Sequence, residues 1–332
     1  MITMIYSILH MFVDGICAFA MFGHFVTDSS GYEYFLIYNF CAFALQMPLG
    51  AMLDYFYIQR KANAGRIFAL LGVTLTVLGA WIHPAVLGIG NALFHIGAGV
   101  CVIHEDEACG WNGQALGIFV APGAFGLFLG TQLSKGVLTG LQIFLTFALI
   151  VMLVFFKKQK QHINFFEKKK ENNWNYGILI SCFLVVILRS YVGMAVTFPW
   201  KTTVFAGTLA VFSVVLGKMA GGVLAARFGT KRTVIGSLLL ATICYLYSAN
   251  MIVGILALFL FNMTMPITLY LLVKNWKELP GFSFGLLTFG LFLGFLPVYL
   301  GIQLPVSGQI IGAVGSLLSI MLLLIGKGWW AE

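Results

Sequence analysis

Apolar stretches of about twenty residues, the length that crosses a bilayer core as a helix, recur along nearly the whole chain. Twelve can be drawn, near 4–25, 34–53, 66–82, 84–103, 115–134, 137–156, 176–197, 203–225, 233–249, 251–273, 282–302 and 306–326. Each is apolar all round and does not alternate, which predicts membrane-spanning helices and not barrel strands. One break differs from the rest. Residues 157–173, KKQKQHINFFEKKKENN, form the longest polar segment, lie at the middle of the 332 residues and carry six of the nineteen Lys and Arg. The pattern predicts an all-α membrane protein with an N-terminal six-helix bundle over 1–156 and a C-terminal one over 176–332. A basic cytoplasmic linker over 157–175 joins these two pseudo-symmetric halves.

Composition agrees. The chain is 60% hydrophobic and 9% charged, whereas soluble domains are about a quarter charged. The net charge of +8 follows topology and does not predict nucleic-acid binding. With the N-terminus inside, fifteen basic residues fall in cytoplasmic segments, and only Lys135 and Lys201 fall on the other side. That asymmetry is the positive-inside bias. It places both termini in the cytoplasm and suits a bacterial-type cytoplasmic membrane. MITMIYSILH has no basic n-region and no small-residue cleavage site, so it is expected to remain as the first span. The six cysteines form no CxxC pair and read as packing residues.

The halves echo each other. FGLFLG occurs at Phe125–Gly130 and again at Phe289–Gly294. Leu93-Phe94-His95 has a counterpart in Leu260-Phe261-Asn262. Gly50-x-x-x-Asp54, followed by Arg60, Lys61 and Arg66, corresponds to GGVLAARFGTKR at Gly221–Arg232. Every offset relates span n to span n+6, a parallel duplication found in transporters.

These turns, which follow spans 2 and 8, resemble the signature loops of the major facilitator superfamily. Within it the chain most resembles the fosmidomycin-resistance type of exporter, through LHMFVDG (9–15), GIGNALFHIGAG (88–99), ALGIFVAPGAFGLFLG (115–130), LRSYVGMAVTFP (188–199) and MPITLYLLVKNWKELPGFSFG (265–285). The chain departs from that pattern at Ala226, where an acidic residue is usual, and at Ile96 and Thr131, where prolines are usual. The resemblance implies that spans 1, 4, 7 and 10 line a central cavity. It also implies that Gly50, Asp54, Arg66, Gly222, Arg227 and Gly229 form the cytoplasmic gate. Because Ala226 is not acidic, the gate is expected to rest on the N-terminal half.

Few charges lie inside spans, where each costs about 2.5–3.5 kcal/mol. Asp14 sits roughly 15 Å along span 1, near mid-membrane, and His10 lies one turn before it on the same face. His95 and Asn91 in span 4, Arg189 in span 7 and Asn262 in span 10 complete one polar position or more per cavity helix. Asp14 with His10 is the expected proton-coupling pair, and Arg189, His95, Asn91 and Asn262 are the expected substrate contacts. Two alternatives are a structural Asp14–Arg189 ion pair and a packing role for His95. Lys218 is expected to snorkel toward the cytoplasm. His104-Glu105-Asp106-Glu107 reads as a solvated acidic loop between spans 4 and 5, in preference to a metal site. No nucleotide fingerprint is present, and neither a cofactor nor a metal is expected.

The expected function is a monomeric, proton-coupled secondary transporter that exports a small organic molecule, with an anion or zwitterion favoured, by alternating access. It is not expected to be an enzyme. The alternatives are an uptake permease, a polytopic enzyme using His95 or the 104–107 segment, and a transport-dead sensor.

Overall fold

The structure, a computed structural model, describes residues 2–26, 31–134, 175–302 and 304–326. Span 6, nearly all of the linker and the C-terminal tail with Trp329-Trp330 lie outside the described residues. Within them all regular structure is helical, and eleven of the twelve expected spans are present. Ten of these helices are long and apolar enough to cross a membrane. The other, Thr230–Leu246, is seventeen residues long. Large apolar side chains such as Phe205 and Ile252 are exposed, as expected for a chain solvated by lipid.

The described residues group into two compact units. The first holds 2–110, 118–134 and 278–286, and the second holds 111–117, 175–277 and 287–326. In the first unit, span 1 (Ile2–Phe25) and span 2 (Gly31–Ile58) each contain one π turn, at Met21–Phe25 and Phe40–Ala44. Span 3 (Ala64–Ile82) and span 4 (Pro84–Cys109) form a tight antiparallel pair. His83 joins them in extended conformation, and its Nδ1 accepts from Ala85 N at 3.2 Å. Pro84 then begins span 4, at a position where a missing N–H costs nothing. Gly72 packs on Phe94, and Gly90 on Thr76. Span 4 is the most enclosed of the long apolar helices among the described residues.

One expectation is corrected here. Residues 104–107 are not a solvated loop but the last turns of span 4, which ends only at Gly110, with φ of 64°. His104 and Asp106 are buried. Glu105 accepts from Ile2 N at 3.1 Å, Thr3 N at 2.6 Å and Thr3 Oγ1 at 2.5 Å. The first N–H groups of a helix have no partner within it, and a carboxylate there is further favoured by the helix dipole. The charge run is thus drawn inward by the start of span 1.

In the second unit, Asn175, Thr203, Asn250 and Ser307 cap the helices that begin at Tyr176, Val204, Met251 and Gly308. Each cap places a side-chain oxygen on an orphan N–H. Span 10 runs from Met251 to Asn275, with its regular helix interrupted at Met263. Lys218 is buried on span 8, so its side chain lies among protein atoms and does not reach toward water.

The duplicated FGLFLG segments do the same work in both units. In span 5 (Gln114–Leu133), Gly126 and Gly130 lie against the carbonyls of Met11 and Gly15 in span 1. In span 11 (Pro280–Tyr299), Gly294 lies against the carbonyl of Ile187 in span 7, and Gly290 faces Phe183. Small residues let such helices approach to backbone contact. A Cβ at position 130 would meet main-chain oxygen, so the helices would have to part. Gly130→Val should therefore cost on the order of 1–3 kcal/mol. Gly193→Ala, where nothing lies within 4 Å, should change little. Thermal unfolding of both variants in detergent measures the contrast.

Candidate functional site

The first unit buries a polar cluster where spans 1, 4 and 5 meet. On span 1, His10 and Asp14 are four residues apart, with His10 Nε2 at 3.2 Å from Asp14 Oδ2. On span 4, Asn91 and His95 repeat this spacing, and His95 Nδ1 lies 2.9 Å from Asn91 O. The two faces meet directly. Asn91 Nδ2 donates to Asp14 Oδ1 at 3.1 Å, and His95 Nε2 lies 3.6 Å from the same oxygen. His10 Nε2 and His95 Nε2 stand 2.8 Å apart, their rings edge to face. Span 5 closes the cluster. His10 Nδ1 is 2.8 Å from Phe119 O, and Gly123 leaves room where any Cβ would fall on His10 Nε2 and Asp14 Oδ2. All four side chains are buried.

The hydrogen bonds determine where protons must be. A carbonyl oxygen only accepts, so the Nδ1 atoms that face Phe119 O and Asn91 O both carry hydrogen. In a neutral imidazole the other nitrogen is then an acceptor. Two acceptors cannot face each other at 2.8 Å without something between them. A cation shared between the two Nε2 atoms, with the Asp14 carboxylate beside it, would satisfy this contact.

Within its own unit Asp14 takes His10, Asn91 and His95 as partners. Arg189, on span 7 in the second unit, is 7% exposed, and its buried Nη1 has no hydrogen-bond partner among the described residues. Its side chain makes no ion pair there. Asn262 is half-buried and donates to Leu258 O of its own helix at 2.8 Å.

The expected gate residues separate into distinct settings. Asp54 is 2% exposed and grips the start of span 11, accepting from Gly281 N at 2.8 Å and Phe282 N at 2.7 Å. Pro280 has no N–H, so Asp54 satisfies the first two donors this helix offers. Gly50 permits the approach, since a Cβ there would fall on Gly281 O. Arg66 is buried near the start of span 3, while both oxygens of Asp54 go to main-chain groups. Gly222 packs on Gly117, Arg227 is exposed over the Phe228 ring, and Gly229 takes φ of 89° between two helices. The grip on span 11 is invisible in the Gly50–Asp54 motif itself. The signal for it was Pro280-Gly281 at the head of an apolar run.

No protein-family model matches the sequence, and no curated protein matches it. Solved structures do. The crystal structure of the E. coli fucose:proton symporter FucP superposes with a TM-score of 0.69, at 13% identity over 98% of each chain. A structure of FucP described as a major facilitator superfamily transporter in the outward conformation gives 0.67, again at 13% identity and 98% coverage of both. The fold is the major facilitator fold. The likeness covers 98% of the chain, and the apolar helices among the described residues make this an integral membrane protein.

Proposed function

We propose that the protein is a proton-coupled secondary transporter that moves a small organic anion or zwitterion by alternating access, in the direction of export. The observation that carries this reading is the buried His10–Asp14–His95 cluster, whose two Nε2 atoms stand 2.8 Å apart, where a shared proton satisfies both. A proton held at mid-membrane on a carboxylate and two imidazoles is what coupling to a gradient needs. In this reading Asp14 and His10 bind the proton, while His95 and Asn91 touch Asp14 and can report its state to the substrate. Arg189 and Asn262 contribute substrate contacts from the other half. The halves 1–156 and 176–332 rock about the 157–175 linker, with both termini cytoplasmic and the chain acting as a monomer.

The orphaned donor on Arg189 supports the preference for an anion. A guanidinium grips a carboxylate or phosphonate through two parallel hydrogen bonds, which an ammonium cannot reproduce. Arg189→Lys should keep the charge yet weaken anion binding by about 1.5–3 kcal/mol, the worth of one charged hydrogen bond. His95→Gln should cost less affinity. Thermal-shift titration of organic anions against both variants tests this ordering, because a ligand stabilises the state it binds. A lipophilic cation that bound wild type and Arg189→Ala equally would refute the anion assignment.

Export rests on the resemblance to fosmidomycin-resistance exporters. Uptake is a second reading, favoured by the fold neighbour being a proton symporter. Reconstitution in liposomes with a pH gradient of each sign separates the two.

A further inference from the structure

The same three side chains have a geometry that a proton alone does not demand. We infer that His10 Nε2, His95 Nε2 and the Asp14 carboxylate form a binding site for a borderline divalent ion of the zinc type.

The donor set is the first argument. Two imidazole nitrogens and one carboxylate suit zinc and its first-row neighbours, and not magnesium or calcium, which prefer all-oxygen sites. The size of the triangle is the second. The two Nε2 atoms stand 2.8 Å apart, and each reaches a different Asp14 oxygen, His10 to Oδ2 at 3.2 Å and His95 to Oδ1 at 3.6 Å, while tetrahedral ligands at zinc bond lengths stand about 3.3 Å apart. An ion therefore needs the imidazoles to separate by about half an ångström and the carboxylate to turn one oxygen toward both.

Outer support is the third argument. A metal-bound histidine almost always donates its other ring N–H to a carbonyl or carboxylate, and this orients the ring. Both histidines already do so, to Phe119 O and Asn91 O, and Asn91 Nδ2 holds the carboxylate in turn. The last argument is space. The atoms all lie within 4.8 Å of one another, and Gly123 supplies no side chain on the side where a methyl would fall on two of them.

The divalent ion binds two neutral imidazoles and the carboxylate and displaces any proton between the rings, so the occupied site carries one more positive charge than the singly protonated one. Three protein ligands leave a fourth position open, as in zinc sites that exchange a ligand and unlike closed structural ones.

The inference uses the side chains of the proposed coupling site, but its test does not depend on transport. The full chain, purified without a polyhistidine tag, is titrated calorimetrically with zinc chloride in detergent. The expected result is one ion per chain, with magnesium chloride giving no binding. Asp14→Asn and His95→Gln should each weaken zinc binding by about 10-fold or more, and Gly123→Ala, which keeps all three ligand residues but crowds two of them, should weaken it too. Thermal unfolding without metal shows whether each variant is folded. Cobalt(II) bound to wild type should show the intense visible absorption of a four-coordinate centre, a readout that no folding defect can mimic. Absence of zinc binding to wild type would overturn the inference. So would binding unchanged in both Asp14→Asn and His95→Gln, or a cobalt spectrum of six-coordinate type. Zinc binding without any proton-driven flux would leave the site standing and refute the coupling reading instead.

Discussion

Asp14→Asn should abolish accumulation of substrate against its gradient while leaving counterflow exchange largely intact. The amide keeps the size of the carboxylate and can still pair with Asn91, so the helices around it should pack as before. It cannot carry the negative charge that balances the proton between His10 and His95. Those nitrogens stand 2.8 Å apart, and an unbalanced imidazolium in a buried, low-dielectric site is strongly disfavoured. The pair should then shed its proton and separate, and substrate movement should lose its link to the pH gradient. Exchange of labelled for unlabelled substrate needs no net proton transfer and should continue. The expected change in uphill transport is complete loss, down to the equilibrium distribution. A variant that still concentrates substrate would remove Asp14 from the coupling site.

Asp54→Ala should have the second largest effect, on turnover and not on affinity. Its two hydrogen bonds to Gly281 and Phe282 are charge-assisted and sit on the positive end of a helix dipole. Losing an acceptor for two buried donors costs roughly 1.5–3 kcal/mol for each bond. Even one such bond moves a two-state equilibrium by about 10- to 100-fold. In the proposed cycle that bias falls on the state in which span 11 is held, while the substrate contacts are untouched. Ala226, at the corresponding place after span 8, is half-exposed beside the exposed Arg227. Ala226→Asp should therefore alter rate far less. Steady-state flux against substrate concentration separates the effects, and equal sensitivity at both loops would refute an asymmetric gate.

The spans were legible because their signal is crude and strong. A helix in lipid must be apolar for about twenty residues and satisfy its own backbone. The observed boundaries accordingly fall within a few residues of the expected ones, apart from the C-terminal extensions of span 2 to Ile58 and of span 4 to Cys109. The second of these is instructive. A run of His, Glu, Asp and Glu ends an apolar window, yet the helix continues because Glu105 is drawn to the open N–H groups of Ile2 and Thr3. Such a partner, about a hundred residues away, leaves no local trace.

Within the site, spacing revealed the pairs and not their meeting. His10 with Asp14 follows from one helical turn, and so does Asn91 with His95. That the four converge depends on how spans 1 and 4 cross. Span 1 is seated in turn on span 5 through Gly126 and Gly130, whose partners the sequence does not name. The tautomers were further out of reach, because they follow from carbonyl oxygens of Phe119 and Asn91 that every residue type carries. The fold itself was legible from the two signature turns and the repeated FGLFLG, and the likeness to FucP over 98% of both chains agrees with it at only 13% identity.

The central claim is that anion movement through this protein is tied to a proton held by His10, Asp14 and His95. Its most direct test is purified protein in liposomes loaded with a pH-sensitive dye, with no imposed gradient and with an anion selected by thermal shift. Adding that anion to one side should drive proton movement in wild type, in fixed proportion to anion flux, and none in Asp14→Asn. Anion flux through wild type with no change in lumenal pH would contradict the account.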